Sequence, residues 1–139
     1  MKPSIDNVRL IDLPSHADDR GVLTSIEEAE SIPIEIKRIF YMHQIVSDRG
    51  GHAHIDTDQV IIPIHGGFEV QAFDGQRTRD FRLNDAAKGL YTPRLTFLSL
   101  RDFSAGAVCL VLASTKYDYH MSLRDRQAYL EHLHRMSEE

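Results

Sequence analysis

The chain has 139 residues, enough for one domain that buries about two thirds of its unfolded surface without disulfide or metal staples. Sixteen Lys and Arg against twenty-one Asp and Glu leave a formal net charge of −5, which excludes a basic scaffold for a nucleic-acid polymer. At 42% hydrophobic and 27% charged, the composition is globular rather than disordered. In chain order, strands are expected around Val8–Ile11 and Gly21–Ile26, and a longer one over Ile34–Tyr41, where Ile34, Ile36 and Phe40 share a face by alternation. Val60–Ile64 is an apolar, β-branched run closed by Gly66-Gly67, and Phe68–Phe73 alternates again. Asp74-Gly75 then reads as a tight hairpin turn leading into a strand over Thr78–Leu83. Later strands fall near Leu95–Leu100 and Ala107–Ala113.

After Tyr119 the period changes. Leu123, Ala128, Leu130, Leu133 and Met136 suit the apolar stripe of a helix starting near Ser122, with Ser122 as its cap and Asp125 in its first turn. Many short strands followed by one helix predict an all-β fold, a jelly-roll barrel or β-sandwich with a C-terminal α-helix, formed by residues 1–139 as a single domain. Such a small barrel has edges to cover, and a homodimer is the expected answer.

Cys109 is the only cysteine and lies in an apolar run, so neither an intrachain disulfide nor a CxxC zinc site can form. No apolar stretch reaches the roughly 20 residues of a membrane span, and charges occupy the place of a signal peptide's apolar region. The expected setting is the reducing cytoplasm, away from membranes.

Of the eight histidines, His16, His43, His65, His120, His132 and His134 stand singly or in polar surroundings and read as solvated or structural. The segment Arg49-Gly50-Gly51-His52-Ala53-His54 differs, because two histidines one residue apart on a strand project to the same face. Paired imidazoles can ligate a metal or move protons near neutral pH. A Gly before His-x-His, then Gln59, then Gly66, resembles the first motif of the cupins, whose metal-binding members carry a Glu where Gln59 stands. Two imidazoles and an amide make a poor closed site for zinc or iron, so no metal is expected.

The flanking segments narrow the resemblance. Asp19-Arg20-Gly21-Val22-Leu23, Ile36-Lys37-Arg38-Ile39-Phe40-Tyr41, the His52–His54 segment and Asp58-Gln59-Val60 occur in order. Asp102-Phe103-Ser104, Val111-Leu112-Ala113-Ser114 and Tyr117-Asp118 follow them. The series resembles the dTDP-4-keto-6-deoxyglucose 3,4-ketoisomerase family of cupins, which act in deoxysugar and amino-sugar biosynthesis. The resemblance implies a dTDP-linked keto sugar as substrate, a homodimer, and proton transfer through an enediol(ate) with no cofactor. It implies His52 and His54 as the catalytic pair with Tyr41 and Arg20 beside them, and Arg20, Arg38, Arg49 and Gln59 as substrate-binding residues. Of Lys37 and Arg38, alternation lets only one face inward.

One departure stands out. Many members of that family carry Trp-His just before the Asp-Phe-Ser segment, where this chain has Phe97-Leu98. Two other readings therefore stay open at this stage: a sugar-nucleotide-binding or regulatory cupin without turnover, and a metal-dependent cupin enzyme built on His52, His54 and Gln59.

Overall fold

The computed structural model describes residues 2–138, and they form two stacked five-stranded sheets with a helix at the C-terminus. The strands are β1 (Arg9–Asp12), β2 (Ser15–Asp18), β3 (Gly21–Thr24), β4 (Arg38–Met42), β5 (Arg49–His54) and β6 (Gln59–His65). They continue as β7 (Phe68–Phe73), β8 (Thr78–Leu83), β9 (Lys88–Thr92), β10 (Phe97–Arg101), β11 (Val108–Ala113) and β12 (Ser122–Leu123), before helix α1 (Arg126–Ser137). One sheet runs β1-β9-β6-β11-β4 and the other β12-β5-β10-β7-β8, while β2 and β3 form a hairpin of their own. Every pairing is antiparallel. This is the β-sandwich with a C-terminal helix that the strand pattern predicts, in the cupin-like form that the resemblance implies.

The core lies between the sheets. Ile61, Phe68, Val70, Ala72, Leu90, Leu98, Leu100 and Val111 meet there, contributed by alternate positions of their strands. The outer faces are covered too, which is why several strands read as continuous apolar runs. Val60, Ile62 and Leu112 on the back of the first sheet pack under Ile32 and Ile34. Ala53, Phe73 and Phe97 on the back of the second pack under Tyr129 of α1. The Tyr129 hydroxyl donates to the carbonyls of Leu95, at 2.7 Å, and Phe73, at 3.2 Å.

The Asp74-Gly75 turn forms as expected, with Gly75 at φ +98°. The Asp74 carboxylate accepts from the backbone N–H groups of Ile5, Gln76 and Arg77. Burial acts to raise its pKa, and those three bonds with the Arg77 charge outweigh it, leaving the pKa below the usual carboxylate value.

Four local readings need correction. The helix begins at Arg126 and its cap is Asp125, which accepts from the Ala128 N–H at 2.7 Å; Ser122 lies in β12 instead. The buried residue of that helix is Tyr129, while Leu130 is 41% exposed. The Ile34–Tyr41 strand starts only at Arg38, because the Glu28 carboxylate ties down the Ile36 N–H, and Ile34 and Phe40 consequently enter different clusters. Strands β2 and β9 were not expected. β2 is polar and exposed, and is held by its pairing to β3 and a 2.8 Å contact between the Ser15 and Thr24 hydroxyls. Among the described residues, no helix is long and apolar enough to cross a membrane.

Candidate active site

A cavity of about 370 Å³ opens between the sheets where β4 faces β5. Phe40 and Met42 of β4, Gln59 and Ile61 of β6, and His52 of β5 line it, with Arg49, Asp48 and Arg124 charged at its walls. Its position follows from a local irregularity in β5. Leu98 pairs with His52 but Ser99 pairs with Gly50, so Gly51 is an extra residue and the strand bulges there. Gly50 and Gly51 sit at φ +100° and +77°, and a Cβ on Gly50 would fall 2.8 Å from the Leu98 carbonyl oxygen. Glycine is required at Gly50 both for the backbone angle and for the close approach of β10.

The bulge sets His52 and His54 on the inner face, while Ala53 between them faces the helix. Their ring centroids are 5.1 Å apart and the planes cross at 84°. Both imidazoles are held below the ordinary histidine pKa, by burial first. For His52, the positive charges of Arg124 and Arg49 add to burial, against an opposing Gly50 backbone contact. For His54, His52, Arg38 and Arg124 outweigh Asp56 and bring the pKa to about 4. Two neutral imidazoles thus face each other under a positive field at neutral pH.

Gln59 lies in the cavity as expected and is only 5% exposed. Arg49 lines it as well. Arg38 shares the inward face of β4 with Phe40 and Met42, whereas Lys37 is exposed beside Glu35. The Arg38 guanidinium carbon lies 5.0 Å from the Phe40 ring centroid and 5.3 Å from that of Tyr117, and its buried Nε has no hydrogen-bond partner. That is a donor with capacity left for a ligand.

Tyr41 and Arg20 are not brought in. Tyr41 alternates outward from Phe40 and Met42 and is 62% exposed, beside His43. Arg20 sits at the tip of the β2–β3 hairpin, where its guanidinium pairs with Asp18 at 2.6 Å, and no residue of that hairpin lines the cavity. Conversely, Arg124 was missed by sequence reading. It sits in the short link between β12 and α1, its guanidinium 4.0 Å from the Tyr119 ring centroid, and no spacing rule connects it to β5. The Phe97-Leu98 pair also divides: Phe97 packs on Tyr129 with centroids 5.3 Å apart, and Leu98 faces the cavity. No cluster of three or more His, Cys, Asp or Glu groups arranged to hold a metal ion occurs among the described residues.

The model of the family described as FdtA (WxcM-like, C-terminal) matches residues 6–134. A TDP-4-oxo-6-deoxy-alpha-D-glucose-3,4-oxoisomerase from Aneurinibacillus thermoaerophilus is 36% identical over 112 residues, covering 79% of this chain and 81% of that protein. The sugar 3,4-ketoisomerase QdtA from Thermoanaerobacterium thermosaccharolyticum, solved in complex with TDP, has a TM-score of 0.90 at 33% identity, covering 96% of this chain and 98% of that one. A 3,4-ketoisomerase from Helicobacter canadensis gives a TM-score of 0.89 at 33% identity, over 92% of this chain and 98% of that one.

Proposed function

We propose that this chain, which belongs to the FdtA family, is a single-domain isomerase that converts a TDP-linked 4-keto-6-deoxyhexose to its 3-keto isomer. The observation that carries the reading is the pair of neutral imidazoles: His52 lines a cavity walled by Arg49 and Arg124, and His54 lies behind it with ring centroids 5.1 Å apart.

The chemistry follows from the ketone at C4, which acidifies the C3–H bond. One histidine takes the C3 proton, and the electron pair passes into an enediolate across C3 and C4. A proton then returns at C4 while the C3 hydroxyl loses its own, leaving the ketone at C3. Atoms and electrons balance within the sugar, so the step asks only for an acid–base pair and donors for the developing oxyanion. With Tyr41 directed outward, the second histidine is the proton relay. Gln59 supplies a neutral donor at the sugar, and Arg38, Arg49 and Arg124 supply positive charge for the diphosphate. A bound diphosphate offsets the field of those arginines and raises the depressed pKa of both histidines back toward neutral pH, where a general base works best.

The proposal includes a homodimer. Val22, Leu23, Ile39 and Tyr41 leave apolar surface exposed on the β2–β3 hairpin and on edge strand β4, which suits a second copy. The role implied for Arg20 then requires its hairpin to meet the partner's cavity rather than its own. A cytoplasmic location fits a single, buried, unpaired Cys109 and is checked by cell fractionation.

The deciding experiment is NMR of TDP-4-keto-6-deoxyglucose with the protein in deuterated water. Appearance of the 3-keto sugar with deuterium incorporated supports isomerisation. TDP binding with an unexchanged sugar at high protein concentration replaces it with a binding role.

A further inference from the structure

We propose that Ser122 is a positioning residue for His54, holding the imidazole by Nδ1 so that Nε2 is the nitrogen that handles protons. The inference deepens the isomerase reading and rests on it. Strand β12 lies at the free edge of β5, and its pairing sets Ser122 opposite His54 and Leu123 opposite Ala53. Ser122 therefore takes the inner side with the histidine, and its Oγ lies 3.4 Å from His54 Nδ1. Leu123 takes the outer side with Ala53 and Tyr129.

The strand is fixed from both ends. The Ile55 N–H donates to the Met121 carbonyl at 2.9 Å, and Asp125 caps α1 immediately downstream. The backbone of His54 is also held: its carbonyl accepts from the Leu95 N–H at 2.7 Å, and the Leu95 carbonyl accepts from the Tyr129 hydroxyl. Strand pairing uses only the main chain of Ser122, so the hydroxyl is not needed for the fold.

A neutral imidazole has one donor and one acceptor nitrogen, and a hydroxyl can serve Nδ1 in either role, so Ser122 holds the ring in both tautomers and leaves Nε2 free. His54 is neutral here. Burial lowers its pKa, and the titratable and charged groups around it are His52, Arg38 and Arg124, opposed by Asp56. Ser122 is the side chain of β12 that meets the ring, and it holds the imidazole at its angle to His52. The short β12 and the helix behind it therefore reach the reacting proton through one hydroxyl.

The test is Ser122→Ala in the full chain labelled with ¹⁵N-histidine. The His54 Nδ1 resonance should shift in the variant, which lacks the hydroxyl partner, while the His52 resonances stay in place. The variant's kcat on TDP-4-keto-6-deoxyglucose should fall about 10-fold, the scale of one hydrogen bond's net contribution, with KM little changed. Ser122→Thr, which keeps the hydroxyl, should restore both signals. An unchanged His54 Nδ1 resonance and kcat in Ser122→Ala overturns the positioning role. A shifted Nδ1 resonance in a protein whose wild type exchanges no deuterium into the sugar sinks the isomerase reading and leaves the positioning of the ring standing.

Discussion

Leu98 stands directly opposite His52 in the pairing of β10 with β5, and both side chains line the cavity. Its neighbour Phe97 turns the other way, onto Tyr129 under the C-terminal helix. Where the resembling family has Trp-His, the aromatic position is thus structural and the imidazole position is the one at the cavity.

Substitution at the two positions should separate accordingly. Phe97→His removes an aromatic ring from a buried cluster and puts a polar group in its place, at a cost of about 3 kcal/mol. Leu98→His should cost clearly less, since its ring nitrogens can bond to water in the cavity. Urea midpoints of the two variants measure this, and equal losses would contradict the assigned orientations.

His52→Asn and His54→Asn should each lower turnover by roughly 10²–10⁴-fold, the usual contribution of a general acid or base. Affinity for TDP, measured by calorimetry, should change much less, because the arginines remain. The acid–base assignment fails if both folded variants keep near wild-type turnover.

Stability should depend on pH through His54. Its folded pKa is depressed to about 4 from an ordinary value of 6.5. Between those values the unfolded chain binds a proton there and the folded chain does not, so stability falls as pH drops from about 6.5 toward 4. His52, shifted in the same direction, adds to the loss. Urea midpoints at pH 7 and pH 5 should differ more in the wild type than in His54→Asn, and an equal difference would show that other groups govern the loss.

Sedimentation at micromolar concentration should give a dimer. Val22→Asp combined with Leu23→Asp, on the exposed hairpin, should give a folded monomer. A monomeric wild type would remove the dimer and, with it, the role assigned to Arg20.

Alternation and turn chemistry carried much of this fold. Strands Phe68–Phe73 and Thr78–Leu83 match their expected limits because Asp74-Gly75 sets the turn between them and each strand has a consistent inner face. The histidine pair was legible for the same reason: a spacing of two puts His52 and His54 on one face wherever the strand lies. Periodicity, however, says which residues share a face and not which face is the cavity. With both faces of each sheet covered, Phe97 and Leu98 read alike in sequence, and so did the inward Phe40 and the outward Tyr41; only the packing of the sheets and helix told them apart. The groups brought in from elsewhere in the chain, Arg124 at the cavity and Ser122 against His54, left no local signal. They are neighbours because the chain after residue 118 returns to the free edge of β5, a long-range pairing that no short window of sequence contains.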